Sequence, residues 1–304
     1  MQQVYEKCQL CPRVCQVNRE KGQIGVCKVS STLKVARAAL HHWEETCISG
    51  AKGSGAVFFS GCSMHCVFCQ NQEIAQGISG KEISRERLAE IFLELQEKGA
   101  NNINLVTPGQ YVPHIVWAVE QARAQGLGLP IVYNTSSYEK VDTLKRLEGI
   151  VDVYLPDFKY WSSELAKKYS NAPDYPEVAK AAIAEMVRQQ PQMQFAYDSE
   201  QDTELIQKGV IVRQLLLPGQ LEDAKQIVKY LYNTYGDQIY LSLMSQYTPL
   251  KHVKNYPELN CKVNRKDYDA YVDYAIELGV ENGYIQEEDV AEESFIPAFD
   301  GEGV

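Results

Sequence analysis

The 304-residue sequence predicts an α/β fold built around a parallel sheet. Three observations carry that prediction. Short apolar runs alternate with amphipathic helical patterns from residue 56 onward. The connections between them are short. Polar or turn-forming residues follow nearly every apolar run. Strand-then-helix repetition of this kind implies right-handed βαβ units. Six such units fit either an open doubly wound sheet or a partial (β/α)6 barrel. In both, the ligand site lies at the carboxyl ends of the strands.

The elements follow in order. Ala56-Val57-Phe58-Phe59 reads as the first buried strand. Ser84 is placed to cap a helix carrying Leu88, Ile91, Phe92 and Leu95 at helical spacing. Residues 102–106 form the second strand, 111–125 a helix ended by Gly126, and 130–133 the third strand. A helix over 138–147 precedes the fourth strand, 151–155. Helices are expected over 163–169 and 177–189, then a fifth strand over 210–217. Residues 221–235 read as helix, 238–244 as the sixth strand and 268–278 as the last helix. Residues 1–50 are Cys-rich and loop-like, with a flexible Gly-rich connector over 50–55. The expected organisation is thus an extension (1–50), a catalytic barrel (51–250) and a C-terminal helix with its tail packed on the barrel (251–304).

A net charge of −10, with no Lys/Arg-rich run, argues against a nucleic-acid partner. No apolar run approaches a membrane span. The polar residues 1–10 reach Cys8 without the apolar stretch of a secretory leader, so a cytoplasmic protein is expected. Thiols stay reduced there, and clustered cysteines point to metal or redox chemistry. Eight of the nine cysteines fall in the first 69 residues.

Cys62, Cys66 and Cys69 follow the first strand with the spacing C-x3-C-x2-C. Thiolates are the usual ligands of iron–sulfur clusters. Three of them on one loop leave one iron of a [4Fe-4S] cluster without a protein ligand, and an open position is what a metal uses to engage substrate. The bland alternative is a closed site completed by His65 or Cys47. Cys8, Cys11, Cys15 and Cys27 form a separate set of four, with Gly22 and Gly25 permitting a tight return. Four ligands make a closed site, suited to Zn2+ or to an auxiliary iron–sulfur cluster. A segment with so little apolar content needs such a staple to fold. Cys47 could substitute in either site, and Cys261 reads as a plain free thiol.

The segments Phe58-Phe59-Ser60-Gly61-Cys62, Cys66-Val67-Phe68-Cys69-Gln70-Asn71, 102–108, Tyr154-Leu155-Pro156-Asp157-Phe158-Lys159, Val210-Ile211-Val212-Arg213 and 242–249 resemble radical S-adenosylmethionine (SAM) proteins of the pyruvate formate-lyase activating enzyme-like group. More closely, they resemble its branch with an N-terminal four-cysteine extension, and the likeness runs along essentially the whole chain. The resemblance implies a partial (β/α)6 barrel, a [4Fe-4S] cluster on Cys62, Cys66 and Cys69, and SAM as cosubstrate. SAM would be cleaved reductively to a 5′-deoxyadenosyl radical that abstracts hydrogen. It also implies a flavodoxin- or ferredoxin-type electron donor.

The resemblance and position together nominate further site residues. Gly109, after the second strand, lies where the family binds the SAM amino group, although a Pro-Gly turn explains it as simply. Asn134 stands where the group has an Asp-Thr pair near a cation, keeping an oxygen ligand but losing the charge. Asp157 and Lys159 match an Asp-x-Lys motif, with Lys159 aimed at the SAM carboxylate. Arg213, inside a strand, needs a partner, either that carboxylate or a buried structural Asp. His41, His42, Glu44 and Glu45 are substrate-side candidates. The expected function is activase-like hydrogen abstraction from a partner protein. The alternatives are a radical SAM enzyme acting on a peptide or small metabolite, and an iron–sulfur or zinc scaffold that does not cleave SAM.

Overall fold

The structure, a computed structural model, describes residues 2–286 and 297–304. A short helix α1 (Gln2–Glu6) opens the chain. Strand β1 (Leu33–His41) and helix α2 (Thr46–Ser49) lead to β2 (Ser54–Phe59). Then come α3 (Gln72–Ala75), β3 (Lys81–Ile83), α4 (Arg85–Glu97), β4 (Ile103–Val106), α5 (Val112–Ala124) and β5 (Ile131–Thr135). They are followed by α6 (Val141–Leu144), β6 (Val153–Pro156), α7 (Ser163–Ser170), α8 (Tyr175–Gln189), β7 (Gln194–Asp198) and β8 (Thr203–Leu215). The last elements are α9 (Leu221–Tyr235), β9 (Tyr240–Met244), α10 (Arg265–Leu278) and β10 (Gly283–Ile285).

The sheet runs β3-β1-β2-β4-β5-β6-β8-β9-β10. From β2 to β10 every neighbouring pair is parallel. Among the described residues its two edges do not pair with each other, so the barrel stays open. The six predicted strands are β2, β4, β5, β6, β8 and β9. Strands β2, β4, β5 and β6 are buried throughout, which is why they read as apolar runs rather than alternations.

The two sides of these strands differ in partner. Val57, Phe59, Leu105 and Tyr133 face the helices in the main core. Residues of the other parity, Ala56, Phe58, Val106, Val132, Val153, Leu155 and Ile211, form two smaller clusters inside the barrel. Asn104, Asn134 and Arg213 share that parity, so the barrel interior is partly polar. Helix α9 buries Ile227, Val228 and Leu231, contributing about 1.5–3 kcal/mol each relative to exposure. On α4, the Ser84 hydroxyl caps the helix by accepting from the Arg87 N–H at 3.1 Å.

Three expectations need correcting. Residues 33–41 are a strand, β1, pairing antiparallel with β2 and β3. Its Ala-rich sequence carries little β signal. The connector over 50–55 is not loose: Ser54 and Gly55 begin β2 and are buried. Strand β8 has 13 residues against the eight expected over 210–217, because it starts early: Thr203–Lys208 pairs with β7 in a hairpin before the chain enters the barrel. The described tail, 297–304, lies against β1, where Gly301 N–H donates to Ala36 O and Ala38 N–H to Glu302 O. Among the described residues, no helix is long and apolar enough to cross a membrane.

Candidate active site

The loop after β2 is anchored through its apolar residues. Met64 and Phe68 are buried, and the Phe68 ring meets Tyr160, Tyr169 and Tyr247 edge-on at 6.2–6.5 Å. Val67 N–H donates to Tyr169 O at 2.9 Å, and Cys69 N–H to Cys66 O at 3.1 Å. These contacts leave the thiols of Cys62, Cys66 and Cys69 lining one cavity at the carboxyl ends of the strands. The Ser170 hydroxyl donates to Cys66 Sγ at 3.0 Å, and Met64 N–H to Cys62 Sγ at 3.4 Å. Burial and the neighbouring sulfurs push Cys62 up to about 11 and Cys69 up to about 12. Free thiols here stay protonated, and a metal would release their protons on binding.

His65 borders the same cavity, with its Nε2 held by the N-terminal segment. It takes a left-handed φ of 50°, and its ring lies 2.6 Å from the carbonyl of Val26. Cys47 is farther still. It sits on α2 with Val132, Val153, Leu155 and Ile211, where Asn102 Nδ2 donates to Ile48 O at the start of β4. That is the opposite end of the barrel, so Cys47 completes neither cysteine set.

The same cavity is lined by Asn134, Asp157, Lys159 and Arg213. Lys159 Nζ lies 2.6 Å from Asp157 Oδ2. Arg213 donates from Nε to Asp157 Oδ1 at 3.0 Å, from Nη1 to Glu44 Oε2 at 2.8 Å and from Nη2 to Asn134 Oδ1 at 2.6 Å. Burial opposes ionisation of Asp157, but Lys159 and then Arg213 outweigh it and hold the carboxyl below its ordinary value. All three edges of the guanidinium are engaged by protein oxygens, the arrangement of a structural pair. Lys159 is the freer cation: burial works against its charge, and Asp157 more than restores it.

Gly109 is not brought to this group. It begins a turn after β4 and lines a second cavity, behind the loop, together with Cys8, Cys11, Cys15 and Cys27. A Cβ there would meet Glu139 Oε1 at 2.6 Å. Its neighbour Thr107 does line the main cavity and has φ of 56°. For a β-branched residue that conformation is strained. Gln110 Nε2 holds the turn from 2.8–3.0 Å of the carbonyls of Ser60, Gly61 and Thr107.

Several residues escaped the sequence reading. Glu139 is buried between the cavities, accepting from Thr135 Oγ1 at 2.8 Å, and burial pushes its carboxyl up to about 7. Trp43, Gln70, Met244, Gln246 and Tyr247 line the main cavity. The exposed Trp43, beside His41 and His42, was the detectable signal among them. Of the polar run before the barrel, His41 and Glu44 reach the cavity. Burial first, then His42 and Arg37, lower His41 to about 4.

The fold is an open parallel α/β barrel with a three-thiol loop after its first parallel strand. Residues 56–191 match the model of the Radical SAM superfamily. An uncharacterized protein of Methanocaldococcus jannaschii (MJ0674) is 26% identical over 279 residues, covering 90% of this chain and 75% of that protein. The fold is similar to methylornithine synthase (PylB), with a TM-score of 0.50 at 14% identity, covering 79% of this chain and 66% of that one. SuiB of Streptococcus suis, solved with S-adenosylmethionine bound, matches with a TM-score of 0.48 at 13% identity over 74% of this chain. The chain spans about half the length of SuiB, 48%.

Proposed function

We propose that this protein is a radical SAM enzyme that abstracts a hydrogen atom from a partner protein or peptide. The observation that carries the reading is the convergence of Cys62, Cys66 and Cys69 on one cavity with the Asp157–Lys159 pair. The residues fit the cofactor. Cys62, Cys66 and Cys69 line one cavity, and the loop's histidine, His65, has its Nε2 2.6 Å from Val26 O.

Cys62, Cys66 and Cys69 would hold a [4Fe-4S] cluster, which would supply the electron for reductive cleavage of SAM to methionine and a 5′-deoxyadenosyl radical. The chain's own residues do the rest. Lys159 offers a point charge to the methionyl carboxylate. Asp157 holds Lys159 in place, and Arg213 with Glu44 and Asn134 holds Asp157. The left-handed backbone at Thr107 turns the β4 loop into the cavity wall. Phe58, Leu215, Leu217 and Met244 keep that wall apolar, which protects a radical from side reactions by excluding water.

The substrate class follows from the rim. Trp43 is 60% exposed where it borders the cavity, and exposed aromatic anchors are characteristic of protein-binding surfaces. An activase-like role, with a backbone glycine as hydrogen donor, is the form of this reading we favour. The cluster-loaded enzyme, mixed anaerobically with SAM, reductant and each co-encoded protein, should generate an EPR signal of a carbon-centred protein radical. Failure with every such partner, while SAM is still cleaved, would move the reading to a small-molecule substrate.

A further inference from the structure

The N-terminal segment carries a second set of observations that SAM chemistry does not use. Cys8, Cys11, Cys15 and Cys27 all line one cavity, with Arg19 and Cys62 also on its wall. Cys8 N–H donates to Val17 O at 3.0 Å and Gln16 N–H to Cys8 O at 3.0 Å, so a tight hairpin draws Cys8 and Cys15 together. Gly25 is required where the chain returns: a Cβ there would lie 2.8 Å from Cys15 Sγ and 3.8 Å from Cys27 Sγ. Val14, Gln16 and Lys28, each next to a cysteine, take left-handed φ of 41°, 57° and 65°. Such strain costs on the order of 1–3 kcal/mol each and persists only where something over-determines it. The local apolar cluster is small, built on Tyr5, Cys8 and Leu10.

Arg19 lies on the wall of this cavity. It is 1% exposed. Its guanidinium donates to Ser30 O at 2.6 Å and to Gln110 O at 2.9 Å, lies 3.8 Å from Cys8 Sγ, and stands over the rings of Tyr5 and Tyr111. Among the described residues, none of its hydrogen-bond or ion-pair partners is a carboxylate. A buried cation without an anion is expensive. The nearest group that metal binding would make anionic is Cys8 Sγ, at 3.8 Å.

We propose that Cys8, Cys11, Cys15 and Cys27 bind an iron–sulfur cluster, with Arg19 as its buried counter-charge, placed to pass electrons to the catalytic loop. A single Zn2+ draws its thiolates to about 2.3 Å from one point. Here the sulfurs ring the cavity instead: among the described residues, no three Cys, His, Asp or Glu side chains converge closely enough to share one ion. Ligands spread around a cavity suit the separate irons of a cluster.

Its neighbour is the catalytic loop. Cys62 borders both cavities. His65 lies 2.6 Å from Val26 O, and Arg13 Nε donates to Ser63 O at 2.9 Å. Gly61 passes so close to Cys27 that a Cβ would meet its carbonyl at 2.6 Å. One electron enters from a low-potential flavin or iron–sulfur protein and leaves to the catalytic cluster, with no bond made or broken on the way. The electron-transfer role rests on the radical SAM reading, whereas the cluster itself does not.

The test uses the full chain with Cys62, Cys66 and Cys69 all changed to Ala, which spares the N-terminal set. After anaerobic reconstitution with iron, sulfide and zinc all present, it should hold about 4 iron per chain against about 8 in the wild type. Dithionite should give it an EPR signal. Arg19→Gln in the same background should lower the midpoint potential, because the lost positive charge had favoured the reduced cluster. In the wild type, the two reduced clusters should broaden each other's signals beyond the sum of the separate spectra. Zinc in place of iron, no metal, an unmoved potential or a simple sum of spectra would each overturn the proposal. Loss of all iron from Cys8→Ser and none from the Cys62/Cys66/Cys69 variant would instead mean that the radical SAM reading had failed while the N-terminal cluster stood.

Discussion

At the scale of single residues, Arg213 marks where sequence and structure part. A charge inside an apolar strand pointed correctly to a demanding site, but three sequence-distant oxygens satisfy it. Glu44 lies 169 residues away, and nothing in the local pattern announces that meeting. Arg213→Ala leaves Glu44 and Asp157 facing an empty space. Breaking a buried pair from one side costs about 3–5 kcal/mol, so denaturant unfolding should show a loss of that order. Lys159→Ala should weaken SAM binding with a much smaller loss of stability, since Lys159 is bound to the network only through Asp157. His41 adds a pH dependence. Its folded value, about 4, lies below the unfolded value near 6.5. The neutral ring therefore stabilises the fold fully above about pH 6.5, and that contribution is lost as pH falls toward 4. Stability measured across that window should fall less in His41→Phe than in the wild type.

At the scale of elements, the parallel strands were legible because burial on both faces writes a continuous apolar run. The extension's own strand β1 was not, because its alanines are chosen for close packing against β2 rather than for β propensity. The cluster loop was legible from its cysteine spacing. Its clamp was not: the contacts of Gly61, Ser63 and His65 with residues 13–27 join segments whose pairing no local signal specifies. Gly61 has φ of 91° and lies against Cys27 O. Gly61→Ala should therefore both strain the turn, by about 1–3 kcal/mol, and push the two cysteine segments apart. The measurable result would be a lower unfolding midpoint together with faster loss of iron to a chelator than in the wild type.

At the scale of the whole molecule, one open barrel holds a plug at one end and two cysteine-lined cavities at the other. Helix α2 covers the amino ends of the strands with Cys47 and Ile48, and the main cavity lies at the carboxyl ends. The N-terminal segment backs the catalytic loop there, and the tail packs beside it through Phe299 on Phe58 at 5.6 Å. The segment's stability should be tied to metal, since so little apolar surface holds it. Iron removal should lower the thermal midpoint and open residues 8–27 to proteolysis before the barrel.

The claim on which the account turns is reductive cleavage of SAM at the Cys62–Cys69 loop, and one assay addresses it directly. The reconstituted protein is reduced anaerobically with SAM, and 5′-deoxyadenosine is quantified by mass spectrometry beside the Cys62→Ala variant. Reductive cleavage at this loop gives 5′-deoxyadenosine from the wild type and none from the variant. Equal amounts from both, or none from a wild type whose cluster is intact and reduced in the presence of its partner protein, would contradict it.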